Sequence, residues 1–137
     1  MKPPVWVLRE TVLALHDLLL AEFGGAAGVR DEGMLDSALS RPTNQFAYAA
    51  TTDFPSLAAA YAFGIIRNHP FIDGNKRTGF AVAVLFLELN GLKVSAAEAD
   101  ATVQTLALAA HELDESAYAG WLRANSAQLR PASKKRK

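Results

Sequence analysis

Between two apolar stretches lies "NHPFIDGNKRTG", Asn68 to Gly79. An imidazole accepts a proton near neutral pH, so His69 is the candidate general base. Gly74-Asn75 permits left-handed backbone geometry. Consecutive N–H groups at such a turn form a concave nest for an anion. A helix starting there adds the positive end of its dipole. Lys76 and Arg77 add formal charge, the guanidinium as a fork and the ammonium as a point. Asp73 alone would repel a phosphate. A divalent cation resolves the conflict, because Mg²⁺ takes one or two carboxylates plus substrate phosphate oxygens. Base, metal ligand and nest together suit phosphoryl or nucleotidyl transfer to a hydroxyl. Taken singly, each residue has a blander reading, since a Gly-Asn turn with surface cations is usually only a turn. The conjunction at fixed spacing points to chemistry.

The elements that must position this run are helical by pattern. Leu8, Val12, Leu15, Leu19 and Phe23 recur at three- and four-residue spacings, and Gly24-Gly25 ends that helix. The preceding "PVWV" reads as a short extended segment. "RDEGMLDSALSRP" is a second, short helix with Asp31 as N-cap, closed by Pro42. From Pro42 to Pro55 no helical period is visible, which predicts a loop or small hairpin. "SLAAAYAFGIIRN" is a third helix, stopping at Asn68 because Pro70 disfavours helical geometry at His69. The strongest helix begins near Asn75 and runs to about Asn90. It is apolar almost all round from Phe80 to Leu87, which predicts a central, enclosed position. "SAAEADATVQTLALAAHEL" opens with a capping box, Ser95 and Glu98, and turns Ala99, Val103, Leu106 and Ala110 inward. A last helix has Asp114 as N-cap, with Tyr118, Trp121 and Leu122 inward. The fold class is all-α, about six helices around a buried apolar central helix, with a small flap or hairpin.

Half of the 137 residues are hydrophobic, enough for one domain over residues 1–133. Cysteine is absent, which fits a reducing cytoplasm. The N-terminus "MKPPVWVLRE" lacks a signal-peptide pattern. "GFAVAVLFLEL" falls short of the roughly 20 residues a bilayer span needs, so no membrane is expected. Fourteen cations balance fourteen anions, but the tail 134–137 is "KKRK". Without this tail, expected to be solvated and disordered, the body is acidic, which argues against direct nucleic-acid binding. His16 and His111 have no companion at metal-ligand spacing and are assigned packing or surface roles. Trp6 and Trp121 are assigned to the core or a groove.

The loop resembles the signature of the Fic/Doc superfamily, H-P-F-x-D/E-G-N-G-R-x-x-R in its adenylylating branch. His69, Pro70, Phe71, Asp73, Gly74, Asn75 and Arg77 match. Lys76 replaces the second glycine and Phe80 the last arginine. Both departures are similar to the Doc (death-on-curing) toxin branch, whose loop reads close to H-x-F-x-D-A/G-N-K-R. "AAAYAFGIIRNHPF", "FLELNG" and the stretch from Leu13 to Tyr48 are similar to that branch as well. The resemblance implies that His69 is the base, that Phe71 anchors the loop in the core, and that Asp73 holds Mg²⁺. It implies that Gly74, Asn75, Lys76 and Arg77 cradle the phosphates of ATP. Lys76 fills the room an adenylylating enzyme leaves for the β-phosphate. The Doc branch instead presents the γ-phosphate, to a threonine of elongation factor EF-Tu. AMP transfer on the same fold, or a non-catalytic binding module, remain the alternatives. The stretch Pro42–Pro55 lies where the superfamily has a target-docking flap, with Asn44 and Phe46 as candidate contacts. No S/T-x-x-x-E-G/N inhibitory motif occurs, so the resemblance implies a separate antitoxin lying in a groove of the toxin.

Overall fold

The computed structural model describes residues 2–129. The chain runs α1 (Arg9–Phe23), α2 (Glu32–Tyr48), α3 (Phe54–Asn68), α4 (Asn75–Leu89), β1 (Leu92–Val94), α5 (Glu98–Ala109), α6 (Glu115–Ala124) and β2 (Ser126–Gln128). This is an all-α architecture with one two-stranded antiparallel ribbon among the described residues, Leu92 facing Gln128 and Val94 facing Ser126. The basic tail lies outside the described residues.

Pro42 does not close α2. The helix continues to Tyr48 with the proline inside it and buried. A proline there removes a hydrogen bond and ordinarily costs about 3 kcal/mol. Here the turn it disrupts is pressed against α3. A Cβ on Gly64 would meet the Ala38 carbonyl at 3.1 Å, so the two helices cross with almost no space between them. Packing of the buried proline offsets the lost bond. The expected flap over Pro42–Pro55 is therefore mostly helix, and only residues 49–53 connect α2 to α3. Asn44 and Phe46 sit on α2, both exposed, and Phe46 rests edge-on against Trp6 at 5.9 Å.

The enclosed position belongs to α3 rather than α4. Ten of the fifteen α3 residues are buried, against seven of fifteen in α4. Its run of alanines lets α2 and α4 pack close on either side. The apolar circumference of α4 has another explanation: Phe80, Ala81, Val84 and Leu85 line an open groove. Asp53 caps α3, accepting from Ser56 N at 2.9 Å, and binds Arg123 of α6 through both carboxylate oxygens.

At the other end of the core, Phe86 lies against Trp6, Tyr61 and Phe54 at 5.7, 5.2 and 6.2 Å between ring centres. The N-terminal segment is extended and tied down by Asn90, whose amide exchanges hydrogen bonds with both backbone groups of Val5. The Ser95–Glu98 capping box does not form. The N-cap of α5 is Ala97, without a side-chain bond, and Ser95 N donates instead to Asn125 O. The buried face of α5 is Ala101, Thr105 and Leu108, while Val103 and Leu106 are exposed. Asp114 caps α6 as its sequence predicts.

Candidate active site

His69 ends α3 in a left-handed conformation, φ 52° and ψ 53°, and its side chain is exposed. Five residues on, Gly74 is also left-handed, φ 80°, and starts α4. The pair turns the chain sharply between the two helices. The amides of Asn75, Lys76 and Arg77 open α4, and a first-turn N–H has no carbonyl behind it within the helix. They supply the anion-favouring end of the dipole. Lys76 and Arg77 are exposed, and the Arg77 guanidinium lies 4.2 Å from the Phe23 ring centre.

The side chain of Asn75 is used inside the loop. It is 4% exposed. Its Oδ1 accepts from Phe71 N and its Nδ2 donates to Phe71 O, both at 3.0 Å. These bonds set which way the amide points. Nδ2 also faces His69 Nδ1 at 3.2 Å, so Nδ1 is the acceptor and a neutral ring carries its proton on Nε2. Towards an anion, Asn75 offers its backbone N–H.

Asp73 is exposed. Its Oδ1 accepts from Gly74 N at 2.8 Å and its Oδ2 from Ala26 N at 3.3 Å, leaving lone pairs free on both oxygens. Phe71 is fully buried.

Sequence patterns did not disclose what holds the loop from below. His16 of α1, 2% exposed, stacks on Phe71 with ring centres 3.8 Å apart. Its Nε2–H donates to the Asp73 carbonyl at 2.8 Å. His16 therefore packs, as expected, but also positions the loop, and its partner lies 57 residues away where no local spacing could reveal it. The segment from Gly25 to Asp31 clamps the other side. Arg30 N and Asp31 N donate to Pro70 O, Ile72 N donates to Gly28 O, and Arg30 side-chain nitrogens donate to the carbonyls of Asn68 and His69 at 2.9 and 2.7 Å. A Cβ on Gly25 would stand 2.8 Å from Asp73 Oδ2, so any other residue there would push the carboxylate aside. The cluster of glycines after α1 was the available signal, and it reads in sequence merely as a helix end.

His69, Asp73, Gly74, Asn75, Lys76 and Arg77 all line one groove of about 1050 Å³. From this mouth the groove runs along α4, walled by Leu15 and Leu19 of α1 and by Thr105 and Leu106 of α5. Asn44 and Phe46 are not part of it.

Residues 6–87 match the model of the Fic/DOC family. The chain belongs to the Fic/DOC family. Among curated Fic/DOC relatives, "Protein kinase doc" of Escherichia phage P1 is 37% identical over 116 residues, covering 83% of this chain and 90% of that protein. "Toxin Doc" of Mycolicibacterium smegmatis is 42% identical over 91 residues, covering 64% of this chain and 66% of that protein. The family match takes in α1 to α4 up to Leu87, hence the loop, both helices beside it, and the His16 and Arg30 supports. It stops short of α5 and α6.

Proposed function

We propose that this chain is the toxin of a toxin–antitoxin pair and acts as a protein kinase. It moves the γ-phosphate of ATP to a threonine hydroxyl of elongation factor EF-Tu in the bacterial cytoplasm, which arrests translation. Direct nucleic-acid contact and membrane contact play no part. The reading is supported by family membership, by relatives named as a kinase and a toxin, and by Lys76 and Phe80 in place of the glycine and arginine of the adenylylating signature. The observation that carries it is one groove mouth shared by an exposed imidazole, an exposed carboxylate and the start of α4 with its two cations.

A cation is needed beside Asp73, and the donors suit Mg²⁺. Among the described residues no three His, Cys, Asp or Glu side chains gather as a metal site. A lone carboxylate matches an ion that draws its other ligands from substrate phosphates and water. When bound, Mg²⁺ neutralises charge on the β- and γ-phosphates. The amides of Asn75, Lys76 and Arg77, with the two side-chain charges, hold the terminal phosphate. His69 takes the proton of the acceptor hydroxyl. The new bond joins the acceptor oxygen to the γ-phosphorus. The bond from that phosphorus to the bridging oxygen breaks, and ADP leaves with the electron pair.

The apolar length of the groove suits an antitoxin segment laid along α4 in trans, between Leu15 and Leu19 on one side and Leu106 on the other. The chain has no inhibitory motif of its own, so restraint comes from this partner.

ATP labelled at the γ or the α position, with Mg²⁺, purified EF-Tu and bacterial lysate, tests the reading. The γ label is expected on the acceptor, and His69→Ala should lower transfer by about 10²–10⁴-fold. Retention of the α label would mean AMP transfer instead. Growth arrest that survives His69→Ala would favour a non-catalytic binding module.

A further inference from the structure

A second pocket opens beside the C-terminal end of α3. It measures about 430 Å³ and lies between α2 and α3. Two arginines, Arg41 and Arg67, stand over the ring of Phe63, their guanidinium carbons 4.6 and 5.3 Å from its centre. Stacking on an aromatic face holds a guanidinium flat and leaves its N–H edge available. The pocket is also lined by Asn44, Gln45, Ser37 and Asn68. Glu115 pairs with Arg41 and cancels one of the two positive charges. Arg67 donates to His111 Nδ1 at 2.6 Å, an uncharged partner when that ring is neutral. One net positive charge remains, flanked by neutral amides. That balance matches a monoanion gripped by planar forks, a carboxylate, better than a doubly charged phosphate.

The pocket adjoins the candidate active site. Asn68 lines it and His69 lines the catalytic groove, and neighbouring Cα atoms are about 3.8 Å apart. Arg30 binds the carbonyls of both residues, which ties the end of α3 between the two sites.

We infer that this pocket docks an acidic side chain, Asp or Glu, of the acceptor protein, close to the hydroxyl that reacts. The inference rests on the kinase reading for what the occupant belongs to, and on Arg41, Arg67 and Phe63 for its charge. It moves target docking from an extended flap to the paired helices α2 and α3, with Asn44 as a contact and Phe46 outside.

The full chain is titrated by NMR with blocked Ala-Glu-Ala peptide, following the Nε–H signals of Arg41 and Arg67. Saturable shifts are expected, absent with Ala-Gln-Ala and weakened about tenfold in Arg67→Gln and in Arg41→Gln. No saturable shift, an equal response to Ala-Gln-Ala, or shifts confined to Lys76 and Arg77 would overturn the inference. So would inorganic phosphate saturating the same signals at lower concentration than the peptide, which marks a free-anion site. In the transfer assay Arg67→Gln should raise KM for the acceptor about tenfold and leave KM for ATP in place. An unchanged acceptor KM also overturns it. Failure of the kinase reading looks different: wild-type protein transfers no γ label, while the peptide titration still decides the pocket.

Discussion

Asn75 and His16 show how a residue's type and its use can diverge. An asparagine after a left-handed glycine reads as a phosphate ligand. Its amide is instead closed on the Phe71 backbone and on His69 Nδ1, and burial of polar groups demands that closure. The residue types of the loop were legible in sequence because they are contiguous. His16 was not, because its partners are a ring and a carbonyl brought in by tertiary packing. His16→Phe keeps the aromatic stack but leaves the Asp73 carbonyl without its donor. It is expected to cost about 1–2 kcal/mol in urea unfolding and to slow γ-phosphate transfer. A variant with full stability and full activity would show that the hydrogen bond does not position the loop.

The segment between α1 and α2 is a support rather than a connection. It binds the loop through backbone pairing, through Arg30, and through the space left by Gly25. Arg30→Ala removes two bonds to the carbonyls that end α3. Hydrogen exchange at residues 68–72 is expected to rise about tenfold, corresponding to roughly 1.4 kcal/mol of easier local opening. Gly25→Ala pushes a methyl group into the Asp73 carboxylate. Transfer should then need more Mg²⁺, seen as a right-shifted Mg²⁺ titration of γ-phosphate transfer, in addition to a strain of about 1–3 kcal/mol at φ +125°. Helix existence was readable here from periodicity and caps such as Asp31 and Asp114. The end of α2 was not, because the local rule for Pro42 lost to contact between Ala38 and Gly64. The inward face of α5 was misread for a related reason: Leu106 is apolar because it lines a groove.

Over the whole molecule, one ion pair ties the start of α3 to the end of α6. Burial favours the neutral form of Asp53, but hydrogen bonds from Arg123 and Ser56 outweigh it and hold the carboxyl at about 2. A lowered folded-state pKa gives stability that is complete above the ordinary value of 3.8 and is lost as pH falls towards 2. Asp53→Asn should therefore be less stable than wild type at neutral pH, with the gap closing between pH 4 and 2. The pair is half-exposed, so solvent screening limits the gap to about 1 kcal/mol. A gap that does not change with pH would place the effect elsewhere. Tyr118, joined to Thr105 of α5 at 2.9 Å, is pushed by burial up to about 12 and stays neutral across this range.

The sequence by itself determined the helices, the loop between α3 and α4, and the family that loop belongs to. Those features depend on neighbours a few residues apart: caps, left-handed glycines, and charges within one turn. Tertiary structure alone decided that α3 occupies the centre, that α2 runs through its proline, and that His16 and Arg30 support the loop from distant chain. It also decided that Arg41 and Arg67 meet over one ring. Each of these outcomes is a balance between packing at long range and a local preference, and that balance cannot be weighed until the helices touch.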